Sequence, residues 1–219
     1  LKEVNGIHKG GYNNLSNDPT KEPDVSKIVK EDVMRILCET NGRSSLDFLK
    51  NEISVAHAIL CEVVEELQKE GMIAIQETSV SLTELGRKKA KNILEKHLVL
   101  EDYFEKTRSK IEPHTAAHII EHYVSGEVIN NIKKLSTLKK GGIPLTQFEL
   151  DKEGLIAEIA LSDYRLFERI VSMGIFPGEK MMVISEIPHG IILKIDSKKF
   201  ALDRSIAKGI KAVSYTHLR

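Results

Sequence analysis

The chain has 219 residues, 41% of them hydrophobic and 29% charged, and its 32 basic side chains balance 32 acidic ones. That composition is ordinary for a globular protein, and the length admits one large domain or two to three small ones. No apolar run approaches the roughly 18 residues of a membrane span, and the first residues lack a signal-peptide pattern.

Cys38 and Cys61 each sit in an amphipathic helical segment, so they read as reduced thiols of a reducing, cytoplasmic compartment. Residues 1–25 are rich in Gly, Asn, Asp, Lys and Pro without apolar period and read as a flexible arm. Asp24 or Ser26 is placed to cap the helix that follows. Ile28, Val29, Val33, Met34, Ile36 and Leu37 recur at helical spacing, and Asn41-Gly42 stops that helix. Ser44 and Ser45 open a short helix through Lys50, and a third helix spans about 56–70. Residues 72–76 and 80–83, around a polar turn, predict a β-hairpin. Three helices followed by a hairpin is the order of a winged helix-turn-helix, placed at 26–90.

Two long helices are expected next, at about 87–105 and 115–138, forming a helical domain over 91–140. The Lys139-Lys140-Gly141-Gly142-Ile143-Pro144 run is hinge-like, and 141–152 reads as a linker. Beyond it the period changes. Ile156 to Ile159, Met181 to Ile184, Ile191 to Ile195, Phe200 to Leu202 and Ile210 to Val213 are short strand candidates, with a helix from Tyr164 to Met173. Short strands separated by turn signals predict a small β-barrel over 153–213, followed by a tail at 214–219. The whole reads as an α+β chain.

The chemistry concentrates on the two long helices. His97 and Glu101 are four apart, hence on one helical face. On the second helix His114, His118 and His122 form an i, i+4, i+8 stripe, and Glu121 stands three residues after His118. Imidazole nitrogen and carboxylate oxygen are ligands that iron(II), manganese(II) and zinc(II) accept. These six residues supply enough ligands for one or two sites if the helices pack together. A lone helical histidine is usually a surface or core residue, and His8, His57 and His189 have no such company.

The order of winged helix, HxxxE, HxxxHxxEH and small β-barrel resembles the iron- and manganese-dependent repressors of the diphtheria toxin repressor family. The resemblance covers about 26–213. It is carried by Glu31-Asp32-Val33-Met34-Arg35, by Leu82-Thr83-Glu84-Leu85-Gly86-Arg87 and by Gly126-Glu127-Val128. Arg169-Ile170-Val171-Ser172-Met173-Gly174-Ile175-Phe176-Pro177-Gly178, with Pro188-His189-Gly190 and Phe200-Ala201-Leu202, is similar to the FeoA (SH3-like) module.

What the resemblance implies is a transcriptional repressor of metal homeostasis, with iron(II) or manganese(II) as co-repressor and zinc(II) also compatible. It would act as a homodimer on double-stranded operator DNA. One metal site would use His97, Glu101 and His114. The other would use His118, Glu121 and His122, completed by Asp32 of the first helix. The DNA-facing residues would be Ser44, Ser45, His57, Ala58, Ile59 and Glu62. Leu94, Leu98, Val99, Ile119, Ile120 and Val124 are the apolar positions expected to pair two copies. Two features depart from the family: His118 stands where members carry Cys or Glu, and the third helix lacks their Ser/Thr/Gln pattern. That helix instead carries Glu62, Glu65, Glu66 and Glu70, and acid on a groove-facing surface opposes phosphate binding. The competing reading is a FeoA-like accessory protein of ferrous transport that does not read DNA. An enzyme reading ranks last, because no separate nucleophile or Gly-rich phosphate loop is apparent.

Overall fold

The computed structural model describes residues 25–107, 109–138 and 142–214. The expected arm, apart from Val25, lies outside the described residues, as do Asp24, residues 139–141 of the hinge-like run and 215–219 of the tail. The chain divides into two units, the first ending at Glu95 and the second beginning at Lys96.

In the first unit, α1 (Val25–Glu39) buries Ile28, Val29, Val33, Met34, Ile36 and Leu37, the positions its apolar period selects. Ser26 does not cap it. It lies inside the helix, and its hydroxyl donates to Glu66 Oε2 at 3.2 Å. Asn41 and Gly42 end the helical run with φ of 59° and 85°, the left-handed region that glycine enters without steric cost. A strand not expected from the sequence follows, β1 (Arg43–Ser45). Ser45 then caps α2 (Leu46–Glu52), accepting the Phe48 N–H at 3.1 Å, whereas Ser44 stays within the strand. Helix α3 (His57–Lys69) turns Leu60, Val63, Val64 and Leu67 inward. The expected hairpin is β2 (Ile73–Gln76) and β3 (Ser79–Leu82), closed at Gln76 and Ser79 with Glu77 at φ 55°. Pairing of β1 with β3 makes the wing a three-stranded sheet of order β1-β3-β2. The polar Arg43-Ser44-Ser45 run carries no strand signal of its own, so tertiary pairing decides it.

Helix α4 (Glu84–Lys106) is the first long helix. The second is not one helix but two, α5 (Pro113–Glu121) and α6 (Gly126–Leu135). The break has a local cause: Ser125 restarts the helix as a cap, its hydroxyl accepting the Val128 N–H at 3.2 Å. Serine followed by glycine favours a helix start over a helix interior.

The remaining chain forms β4 (Ile143–Pro144), a 3-10 turn (Leu145–Gln147), β5 (Glu153–Ile159), α7 (Tyr164–Ser172), β6 (Lys180–Ile187), β7 (Gly190–Ile195), β8 (Lys198–Asp203), α8 (Arg204–Gly209) and β9 (Ile210–Ser214). The strands pair antiparallel in the order β4-β9-β5-β6-β7-β8, bent at register shifts between Ile156 and Glu158 and between Val183 and Ser185. Because β4 pairs with β9, the sheet begins inside the stretch expected to be linker.

Within this second unit, Leu100, Phe104, Ile120 and Ile132 of the helices join Leu155, Ile156 and Phe167 of the barrel in one continuous core. The Tyr103 hydroxyl donates to the Ala157 carbonyl, and Asn131 Nδ2 donates to the Gly178 carbonyl at 3.0 Å. Gly178 has φ 85°, and a Cβ there would stand 2.8 Å from the Val128 carbonyl oxygen. Helices and barrel are therefore packed together, not merely tethered. Ile120 and Val124 belong to this core, which corrects their expected place on a dimer face; Leu98 stays 53% exposed. No helix among the described residues is long and apolar enough to cross a membrane.

Candidate metal centre

Burying imidazoles and carboxylates is costly unless each finds a partner, so their placement inside a helical core demands a compensating arrangement. The last turns of α4 carry His97 and Glu101 one turn apart, and His97 is buried. Helix α5 brings His114 and His118 to the same region, with Glu121 as its last residue and His122 just beyond. The start of α5 is held by Glu112, whose carboxylate accepts the N–H groups of His114 and Thr115 at 3.1 and 2.8 Å, with Pro113 in the first turn. Burial pushes the Glu112 carboxyl up, but these bonds and the Thr115 hydroxyl outweigh it and lower its pKa.

Two ligand sets emerge. In the first, His97 Nε2 lies 3.1 Å from His114 Nδ1 and 3.5 Å from Glu101 Oε2, and His114 Nδ1 lies 3.7 Å from Glu101 Oε1. One donor atom from each of the three falls within 4.8 Å of the others. In the second, Glu121 Oε1 lies 3.0 Å from His118 Nδ1 and 3.6 Å from His122 Nε2. Such separations suit donors gathered around one small cation, and the N/O donor set suits a borderline divalent transition metal. Glu101 and His114 are accessible from solvent while His97 is not, so the first set is a buried anchor with an open mouth.

Glu121 is the electrostatic centre. Burial by itself would raise its pKa, but hydrogen bonds from His118 and His97 and the nearby charge of His118 and His122 dominate, holding it far below the usual carboxylate range. Its second oxygen, Oε2, is 2.9 Å from His97 Nδ1. This contact joins two helices and was beyond reach of spacing arguments, which see only neighbours on one helix.

All six residues predicted on the long helices are thus brought together. Asp32 lies on α1 in the first unit, beside Arg35, whose Nη2 is 3.7 Å from Asp32 Oδ1. The DNA-facing set is on the same unit. His57, Ala58 and Glu62 are exposed on α3, Ile59 is half-buried, and His57 Nδ1 lies 2.9 Å from Cys61 Sγ. The acidity of α3 is partly neutralised, because Lys30 of α1 pairs with Glu66 at 2.9 Å and with Glu70 at 2.6 Å.

Comparison with known proteins agrees with this geometry. Residues 83–137 match the iron dependent repressor metal binding and dimerisation domain, and residues 143–213 match the FeoA domain. No curated protein sequence matches the chain. Among solved structures, ScaR with bound Zn2+ is similar at 18% identity over 84% of this chain and 99% of that one, with a TM-score of 0.41. The IdeR of T. acidophilum is similar at 14% identity over 89% and 99%, with a TM-score of 0.43. The iron uptake regulatory protein FeoA matches at 26% identity over 32% and 97%, with a TM-score of 0.29.

A winged helix followed by a helical domain with two N/O ligand sets defines a metal-dependent DNA-binding regulator. The chain thus carries in tandem the metal binding and dimerisation domain of iron dependent repressors, over 83–137, and a FeoA domain, over 143–213. A divalent transition metal is the cofactor of this class, and a homodimer on operator DNA is its working form.

Proposed function

We propose that this chain is a cytoplasmic, non-enzymatic repressor of metal homeostasis genes in which iron(II) or manganese(II) serves as co-repressor. His97, Glu101 and His114 hold one cation. His118, Glu121 and His122 hold a second, with Asp32 adding a carboxylate from the first helix. Residues 26–90 contact DNA through Ser44, Ser45, His57, Ala58, Ile59 and Glu62, residues 91–140 bind metal and pair two copies, and residues 153–213 form the FeoA-like barrel. The observation that carries the reading is the convergence of His97, Glu101 and His114 from two helices onto one point. The dimerisation-domain match over 83–137 favours a regulator over a FeoA-like accessory protein, which has no need of that domain. When bound, the metal supplies a positive centre whose affinity differs between conformations, and such a difference is what shifts a population.

Asp32 is the testable link between metal and DNA. Linkage requires metal and DNA to strengthen each other's binding by one common factor, typically about 5- to 150-fold. Asp32→Ala should keep much of the metal affinity yet lose most of the metal's effect on DNA binding. The measurement is a pair of DNA-binding curves, metal-free and metal-saturated, at fixed salt on a duplex selected from a random pool. An Asp32→Ala protein that responds to metal as the wild type does removes Asp32 from the reading.

A further inference from the structure

Glu121 touches both ligand sets with different oxygens. Oε1 faces His118 Nδ1 and His122 Nε2, at 3.0 and 3.6 Å, whereas Oε2 faces His97 Nδ1 at 2.9 Å. Both partners of this last contact are buried, with side chains 2% exposed, so water does not substitute for either. A carboxylate only accepts hydrogen bonds, so the nitrogen facing it must carry the proton. A neutral imidazole has one N–H, and a proton on Nδ1 leaves Nε2 with its lone pair. Nε2 is the atom that points toward Glu101 and His114.

We propose that Glu121 is a positioning residue for the first set as well as a member of the second, with Oε2 fixing His97 in the tautomer that presents Nε2 to a cation. This inference rests on the metal-binding reading above and deepens it. Partners of this kind hold a ligating imidazole in orientation and raise its basicity, and their loss typically lowers metal affinity about 10- to 100-fold. Here the partner is not a separate residue, because one rigid carboxylate serves two sets. A displacement of Glu121 at the second set is therefore felt at His97 of the first.

The test separates the two duties of Glu121. The full chain carrying His118→Ala and His122→Ala keeps Glu121 and the whole first set while losing two residues of the second. Manganese(II) affinity is measured by competition with a chelator, before and after adding Glu121→Leu or Glu121→Gln. Adding Glu121→Leu should lower first-set affinity about 10- to 100-fold. Glu121→Gln, which keeps an acceptor oxygen, should lower it less. Equal affinity with and without Glu121→Leu overturns the positioning role. A wild-type chain that binds no metal overturns the metal-site reading itself, so the two failures are distinct. Nitrogen chemical shifts of the His97 ring in the metal-free double variant give a second readout that does not depend on how any Glu121 variant folds. The proton is expected on Nδ1, and a proton on Nε2 contradicts the proposal.

Discussion

His122 stands just past the last residue of α5, and its side chain, only 6% exposed, is turned to Glu121 Oε1. Under the proposal above this buried imidazole shares a cation with the buried carboxylate beside it, whereas His57, on the exposed face of α3, lies next to Cys61. His122→Ala should therefore weaken metal binding at the second set by at least tenfold, as losing even a supporting partner does. His57→Ala should leave it unchanged. Competition with a chelator measures both, and equal affinity for wild type and His122→Ala would remove His122 from the site. At this scale much was legible in the sequence. The spacings of His97 with Glu101 and of His114 with His118 put imidazole and carboxylate groups on common helical faces, and the structure brings His97, Glu101 and His114 together. The bond from His97 to Glu121 was not legible, because it depends on how α4 and α5 pack.

The helices and strands followed their apolar periods closely, and the exceptions fall where polar residues decide. A continuous apolar pattern from Ile119 to Leu138 hid the break at Ser125, since Val124, Val128, Ile129 and Ile132 all remain buried on both sides of it. The serine cap is the physical signal that outweighs the periodicity. Ser125→Ala should cost about 1 kcal/mol of stability through loss of the bond to Val128 N–H. Chemical denaturation reads this directly, and an unchanged midpoint would show that the cap contributes nothing. Strand β1 was illegible for the opposite reason: its polar side chains pair through the backbone, with Arg43 opposite Ser81 and Ser45 opposite Ser79. Likewise Ile143 and Pro144 read as linker by composition, yet their backbone meets Ala212 and Lys211 of β9.

In the whole molecule, apolar surface beyond what each unit buries is what a second copy can cover. Ile120 and Val124 are used up by the core of the second unit, while Leu98 on α4 is 53% exposed and Val99 and Ile119 are half-buried against that core. Leu98 is accordingly the residue on which pairing of two copies should depend most. Leu98→Glu is expected to shift the homodimer toward monomer at micromolar concentration, read by sedimentation equilibrium; a fully dimeric variant would place the interface elsewhere. Regulation then joins two units that the sequence announces separately, a winged helix recognisable by its order of elements and a ligand cluster recognisable by its spacing. Their energetic coupling is a property of neither pattern alone. It is measured most directly by titrating a selected duplex with the wild-type chain, at one salt concentration, in chelator and then in saturating manganese(II) or iron(II). The account predicts DNA affinity at least 5-fold higher with metal, the lower end of ordinary coupling. Equal DNA affinity with and without either metal would contradict it.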